Sequence, residues 1–122
     1  MELPEISNTE ISTFFNKELI VEDLINQIKK DLGMYGIDFL LPQNAIISYS
    51  ELLKSLVHNI EPLFKEDKNR LFSILYRVDI SEKDLESAGK ELPDYNQIEI
   101  VAHQIIKREL KKVLIRKYYK QT

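Results

Sequence analysis

The sequence predicts an all-α fold. Apolar residues recur every three or four positions along most of the 122-residue chain, the spacing that places them on one face of a helix. Only three glycines and four prolines are present, too few for a turn-rich β-sandwich or barrel. The length suits a single helical domain over residues 1–122 that can bury its own core.

Four main helices and one short helix account for the apolar pattern. In chain order they are predicted over residues 18–32, 48–64, 67–78, 81–89 (the short helix) and 95–120. Residues 1–15 have no comparable pattern and are expected to be loosely ordered. A separate turn there would pack Phe14 and Phe15 onto the core.

Polar residues mark the ends of these helices. Two helix starts carry a serine with an acidic residue three positions later, the pattern of a capping box. These pairs are Ser48 with Glu51 and Ser81 with Asp84. Asn16 and Asp94 are the predicted N-caps of the first and last helices. Gly33 is the predicted residue that follows the end of the first helix.

The connection between the first two helices, residues 33–47, is unusually apolar for a loop. Its sequence is GMYGIDFLLPQNAII, and Pro42 with two glycines disfavours a continuous helix. We expect a long crossover that lays its side chains into the core. The alternative is a binding surface, because long connections are often functional.

Charge is distributed unevenly along the chain, whose net charge is −3. Residues 1–102 carry 10 basic and 19 acidic side chains, whereas residues 103–122 carry seven basic and one acidic. Such a split indicates a charged partner. It is equally expected of a helix whose cationic C-terminal end interacts with the helix dipole and with the acidic remainder of the protein.

The last helix has two apolar ridges. The core ridge consists of Ala102, Ile106, Leu110, Val113 and Leu114. The second ridge consists of Val101, Ile105, Ile115 and Tyr119, with Arg108 and Lys112 between them. A surface helix needs only one apolar face, so the second ridge requires a covering partner. Burial within the fold, a homodimer seam and a nucleic-acid surface are the alternatives.

The function predicted from these features is a small cytosolic protein-interaction or regulatory module that self-associates through its last helix. The partner-binding residues would be Ile105, Arg108, Lys112, Ile115 and Tyr119. The alternative is nucleic-acid binding by the basic face of the same helix. Its contacts would be Arg108, Lys111, Lys112, Arg116, Lys117 and Lys120.

The sequence contains none of the motifs that mark common enzymes. It lacks a nucleophile elbow, a phosphate-binding loop and a dinucleotide fingerprint. Of the two histidines, His103 follows Glu99 by one helical turn, which alone is too few ligands for a metal. We therefore expect no catalytic residues, no metal and no cofactor.

Two further observations concern the location of the protein. The absence of cysteine is compatible with a reducing cytosol. No apolar run reaches the ~18 residues of a membrane span, and the acidic N-terminus does not resemble a secretory signal. A cytoplasmic protein without membrane contact is expected.

The stretch LYRVDIS places Arg77 and Asp79 among apolar residues, which predicts a charged pair that anchors a helix end. LYRVDISEKDL together with AHQIIKRELKKVLIRKYY resembles small all-helical bacterial proteins that have no assigned activity. The resemblance covers about half of the chain. It implies a helical bacterial protein and transfers no functional residue.

Overall fold

The computed structural model describes residues 11–39, 41 and 47–120, and the side chains of these residues except 12, 16 and 118–120. A short 3-10 helix, Ile11–Asn16, precedes five α-helices. These are α1 Glu18–Gly33, α2 Tyr49–Glu66, α3 Lys68–Arg77, α4 Glu82–Glu91 and α5 Gln97–Lys120. The predicted all-α fold is confirmed, and α3 is as short as α4.

The helix α5 is the central helix of the fold. It contacts α1, α2 and α4, and every side chain from residue 100 to residue 106 is buried. The five residues of the predicted core ridge are also all buried. Because neighbours surround α5, it carries apolar side chains around much of its circumference. Of the alternatives for the second ridge of this helix, burial within the fold is the one observed at Val101 and Ile105.

Ion pairs define how α1 lies against α5. Asp23 pairs with Lys117 at 2.8 Å, and Asp31, two turns further along α1, pairs with Lys112 at 3.2 Å. Residue numbers thus increase along α1 as they decrease along α5, so the two helices run antiparallel. The end of α3 joins the same region, because Arg77 pairs with Asp31.

Both predicted capping boxes are present. The Ser48 and Ser81 side chains each accept a hydrogen bond from the backbone of the acidic residue three positions later. The predicted caps of the other two long helices are wrong. At α5 the capping box is formed by Asn96 and Glu99, two residues after Asp94. At α1 the N-cap position is Lys17 rather than Asn16, and no side chain caps it.

The end of α1 also differs from the prediction, because the helix includes Gly33. Gly36 has the positive φ of 79° that ends the helix. Its N–H donates to Gly33 at 3.1 Å, and the N–H of Ile37 donates to Leu32 at 3.1 Å. This pattern is a Schellman motif with Gly36 at C′. The Ile37 side chain is then buried, which starts the crossover toward the core.

The same motif ends α3 without a glycine. Asp79 has a φ of 63°, its N–H donates to Tyr76, and the N–H of Ile80 donates to Leu75 at 2.9 Å. Asp79 is exposed, so the stretch LYRVDIS does not form the Arg77–Asp79 pair that the sequence suggested. Arg77 pairs with Asp31 of α1 instead.

The crossover enters the core where the structure describes it. Phe39 and Ile47 are buried, and Leu41 packs against the core. Residues 40 and 42–46, with Pro42 among them, lie outside the described residues. Of the N-terminal region, residues 1–10 lie outside the described residues, whereas Ile11 is buried and Phe14 and Phe15 pack against the core as expected.

Candidate functional site

The most unusual feature of the interior is a pair of buried acidic residues. Asp31 of α1 is 1% exposed and Glu109 of α5 is fully buried. Burying an ionised carboxylate costs several kcal/mol unless other groups compensate it. The side chains around these two acids therefore determine how the fold tolerates them.

Asp31 has compensating partners on three helices. Gln27, one turn earlier in α1, donates its Nε2 to Oδ2 at 3.0 Å. Lys112 of α5 donates Nζ to the same oxygen at 3.2 Å. Arg77 of α3 lies 3.5 Å from Oδ1 through its Nε. Burial alone would raise the pKa of Asp31, but hydrogen bonds from Glu109, Gln27 and Lys112 outweigh it and hold the pKa at about 2. Asp31 is ionised at neutral pH.

Glu109 behaves in the opposite way. Burial raises its pKa, the adjacent negative charge of Asp31 raises it further, and Lys112 only partly opposes them, so that the pKa lies at about 8. Glu109 therefore keeps its proton at neutral pH. With that proton in place, the Glu109 hydroxyl can donate a hydrogen bond to the adjacent carboxylate of Asp31.

The proton on Glu109 also changes how many hydrogen-bond donors the buried oxygens require. Neither Glu109 oxygen accepts a well-directed hydrogen bond from an N–H group or from another hydroxyl. Lys112 Nζ approaches Glu109 Oε1 at 3.2 Å while it donates to Asp31. A protonated Glu109 needs fewer donors than an ionised one would, because its own hydroxyl supplies the hydrogen bond to Asp31.

A groove of about 270 Å³ lies beside this acid cluster, between α1 and α5. Asp23, Asn26, Gln27 and Lys30 line it from α1, and Val113, Arg116 and Lys117 line it from α5. Gln27 belongs to both features, since it lines the groove and donates to Asp31. The buried carboxyls themselves do not line the groove, so a ligand there would not touch them.

A second, partly buried polar cluster joins the start of α2 to α5. The Tyr49 hydroxyl is hydrogen-bonded to Nδ1 of His103 and, at 3.0 Å, to the hydroxyl of Tyr95. The rings of Tyr49 and Tyr95 each meet the His103 ring edge to face, with centroids 5.7 Å apart. Glu99, which the sequence placed beside His103, caps α5 instead.

The Tyr49 hydroxyl connects the two ends of this cluster. The His103 Nε2 atom is buried without a hydrogen-bond partner. An Nε2 that carries no hydrogen avoids an unpaired donor, which favours the tautomer in which Nδ1–H donates to Tyr49. Tyr49 then donates to Tyr95. Burial first, and this hydrogen bond second, raise the pKa of Tyr49, so it remains a neutral structural link.

His103 is expected to titrate far below an ordinary histidine. Burial lowers its pKa, the positive charge of Lys107 lowers it further, and Glu91 partly opposes them, giving about 4. The contribution of His103 to the free energy of unfolding is fully present above pH 6.5. It decreases by about 3 kcal/mol in total as the pH falls through 4. An NMR titration of the His103 ring checks this. A midpoint near 6.5 would show that the ring is not buried as described.

Of the five residues predicted for self-association, one lies in the core and two form ion pairs within the fold. Ile105 is fully buried, Arg108 pairs with Asp84 of α4 at 3.1 Å, and Lys112 pairs with the acid cluster. Ile115 is half-buried. The side chain of Tyr119 lies outside the described residues. For Val101 and Ile105, the covering partner of the second ridge is therefore the protein's own core.

Three of the six cations predicted for nucleic-acid binding are similarly engaged. Arg108, Lys112 and Lys117 form ion pairs with acidic residues of other helices. Phosphate contacts by these three side chains would have to compete with those pairs. Lys111 is half-buried and Arg116 is exposed, and the Lys120 side chain lies outside the described residues.

Comparisons with known proteins give no relative: no protein family, curated protein or solved structure matches the chain. The resemblance to small bacterial helical proteins stays a prediction.

Among the described helices, none is long and apolar enough to cross a membrane. Over the described ranges, no three acidic or histidine side chains come together in a way that could hold a metal ion.

Proposed function

We propose that the protein is a small, non-enzymatic interaction module that self-associates through the exposed face of α3. The observation that carries the proposal is the aromatic pair Phe72 and Tyr76. Their side chains are 60% and 88% exposed, and they lie one helical turn apart on the same face. Exposed aromatic residues beside arginine are typical of the centres of protein interfaces.

The charges near this pair permit contact between identical copies. Of the three cations in α3, Arg70 pairs with Asp67 and Arg77 pairs with Asp31. Only Lys68 has no acidic partner among the described residues. Two α3 helices that meet across a two-fold axis would therefore repel one another little, and a two-fold dimer is the commonest symmetric assembly.

The size of the aromatic pair indicates a weak dimer. An aromatic side chain buries roughly 150–250 Å² when it is covered. Two copies of Phe72 and Tyr76, at their observed exposure, would bury on the order of 600 Å². Stable interfaces bury at least ~1,200 Å². We expect association that depends on concentration over the micromolar range or above.

The α3 surface replaces the α5 surface that the sequence suggested. Self-association through α5 would require Ile105 to leave the core and Arg108 to leave Asp84. Phe72 and Tyr76 are available without any change in the fold. Enzymatic activity is not part of the proposal, because the buried carboxyls do not line the groove beside them.

Sedimentation or light scattering over a range of concentrations tests self-association. The wild-type mass should rise above the 14.4 kDa of a single chain. The double substitution Phe72→Ser with Tyr76→Ser should keep the protein at that mass, with an unchanged circular dichroism spectrum. Leu19→Ser provides the matched control, because Leu19 is 72% exposed but lies on α1. It should behave as the wild type.

Two outcomes would overturn the proposal. One is a wild-type protein that remains a single chain at the highest soluble concentration. The other is a double variant that associates as strongly as the wild type. If Ile115→Asp alone abolished association while the α3 variant did not, the interface would lie on α5.

A further inference from the structure

We propose that the groove between α1 and α5 is a binding site for a small organic anion that carries a carboxylate or phosphate group. This inference concerns a different surface from α3 and does not rest on self-association. It depends on the side chains that line the groove, on the charge of the neighbouring acid cluster, and on the size of the groove.

Of the three cations that line the groove, one already forms an ion pair within the fold. Lys117 pairs with Asp23, and both side chains line the groove. Lys30 and Arg116 line it as well, and neither has an ion-pair partner among the described residues. Both are exposed, so a ligand can reach them. The planar guanidinium of Arg116 suits the two oxygens of a carboxylate or phosphate.

Amide groups complete the polar lining. Asn26 and Gln27 both face the groove from α1. Gln27 is held in place because it donates to the buried carboxylate of Asp31. An oriented side chain loses less conformational entropy when a ligand binds than a mobile one does. Val113 adds an apolar contact from α5, which accommodates the carbon atoms of an organic anion.

The local charge is opposite in sign to that of the whole protein. The lining carries three cations and one acid, a net charge of +2. In the adjacent cluster, Glu109 is neutral at pH 7, and so Asp31, Lys112 and Arg77 contribute a further +1. The complete chain has a net charge of −3. A positive site in an otherwise acidic protein attracts anions selectively to that location.

The size of the groove limits the ligand. Sites for drug-sized ligands usually measure roughly 300–1,000 Å³, and this groove, at about 270 Å³, is slightly smaller. It therefore suits a small anion, such as a dicarboxylate or a compact phosphate compound. A polymer would contact it through only one of its groups.

Binding of two probes, pyrophosphate and succinate, tests the proposal at constant ionic strength. A saturable rise in Tm and saturable NMR shifts at Asn26, Gln27 and Val113 are expected with at least one probe. Comparison of the two probes shows whether phosphate or carboxylate is preferred. The double substitution Lys30→Gln with Arg116→Gln should weaken binding about tenfold or more, because it removes both unpaired cations.

The matched control is Lys54→Gln with Lys83→Gln. It changes the net charge by the same amount at exposed lysines of α2 and α4. The control should bind the probe as the wild type does. Equal weakening in both double variants would show that the attraction is diffuse, and the site would be rejected. Absence of saturable binding of either probe to the wild type would also overturn the proposal.

Discussion

Replacing Glu109 by glutamine is expected to stabilise the protein by about 4 kcal/mol at pH 8. In the wild type the folded protein holds a proton on Glu109 up to a pKa of about 8, whereas the unfolded chain releases it at 4.5. The tighter binding of this proton in the folded state stabilises the protein. The stabilisation is fully present below pH 4.5 and is lost as the pH rises to 8. Glutamine is neutral at every pH, has nearly the same shape, and can donate to Asp31 through its amide.

The pH dependence of the free energy of unfolding shows whether Glu109→Gln stabilises the protein by removing a titrating group or by a general gain in packing. In the wild type, Glu109 lowers the free energy of unfolding as the pH rises from 4.5, while His103 raises it up to pH 6.5. The two slopes oppose one another over that range. We therefore expect a nearly constant wild-type stability between these values and a decrease of about 2 kcal/mol from pH 6.5 to 8. The Glu109→Gln variant should show no such decrease.

Urea unfolding at pH 4.5, 6.5 and 8 measures these differences. Glu82→Gln is a suitable control, because Glu82 is exposed in the first turn of α4. It should follow the wild-type profile. The explanation fails if Glu109→Gln and the wild type lose the same stability between pH 6.5 and 8.

The elements that the sequence predicted well are those determined locally. The capping boxes at Ser48 and Ser81 depend on residues three positions apart, so the pattern is complete within one turn. The five helices follow from apolar periodicity in the same way. The predictions at Asn16, Gly33 and Asp94 were wrong because several polar residues or glycines compete near each of those ends, and the choice depends on how the flanking chain packs.

The role of α5 could not be predicted from its own residues. A second apolar ridge is compatible with a partner chain or with a central position in the fold, and periodicity does not distinguish the two. Tertiary contacts with three other helices decide it. The cations Arg108 and Lys112 gave a misleading impression of a free basic face, because their acidic partners, Asp84 and Asp31, are far away in sequence.

Asp31 and Glu109 were missed as a site for a related reason. An acid beside apolar residues usually points to solvent, and Asp31 lies next to Leu32 and one turn after Ile28. Glu109 did carry a signal, since it follows Ile105 by four residues and Ile106 by three. Apolar residues on both sides of a glutamate favour its burial, either within the fold or beneath a partner chain. Which acid meets it depends on the α1–α5 register, which no local pattern contains.

The acid cluster and the groove are linked through Gln27 and through charge. A proton on Glu109 leaves the cluster with a net positive charge beside the groove, and loss of that proton removes it. We therefore expect a pH above 8 to weaken the binding of an anion at the proposed site. The same change loosens the α1–α5 contact, because two adjacent ionised carboxyls repel one another.

Replacing Asp31 by alanine is expected to lower the free energy of unfolding by about 3–5 kcal/mol near pH 6, as when one partner of a buried ion pair is removed. Asp31 accepts from Gln27, Lys112 and protonated Glu109 and pairs with Arg77. The substitution leaves Lys112 and Arg77 without their common carboxylate and leaves the Glu109 hydroxyl without an acceptor in the interior. Urea unfolding measures the loss.

Asp23→Ala is the matched control for this prediction. Asp23 lies two turns earlier in α1 and also pairs with a lysine of α5, but its side chain is 47% exposed. Its loss should cost less than about 1 kcal/mol, as for other surface ion pairs. Asp31→Asn separates the charge from the lost volume, and it should remain well below the wild type in stability. If Asp31→Ala cost no more than Asp23→Ala, the buried acid would not organise the junction of α1, α3 and α5.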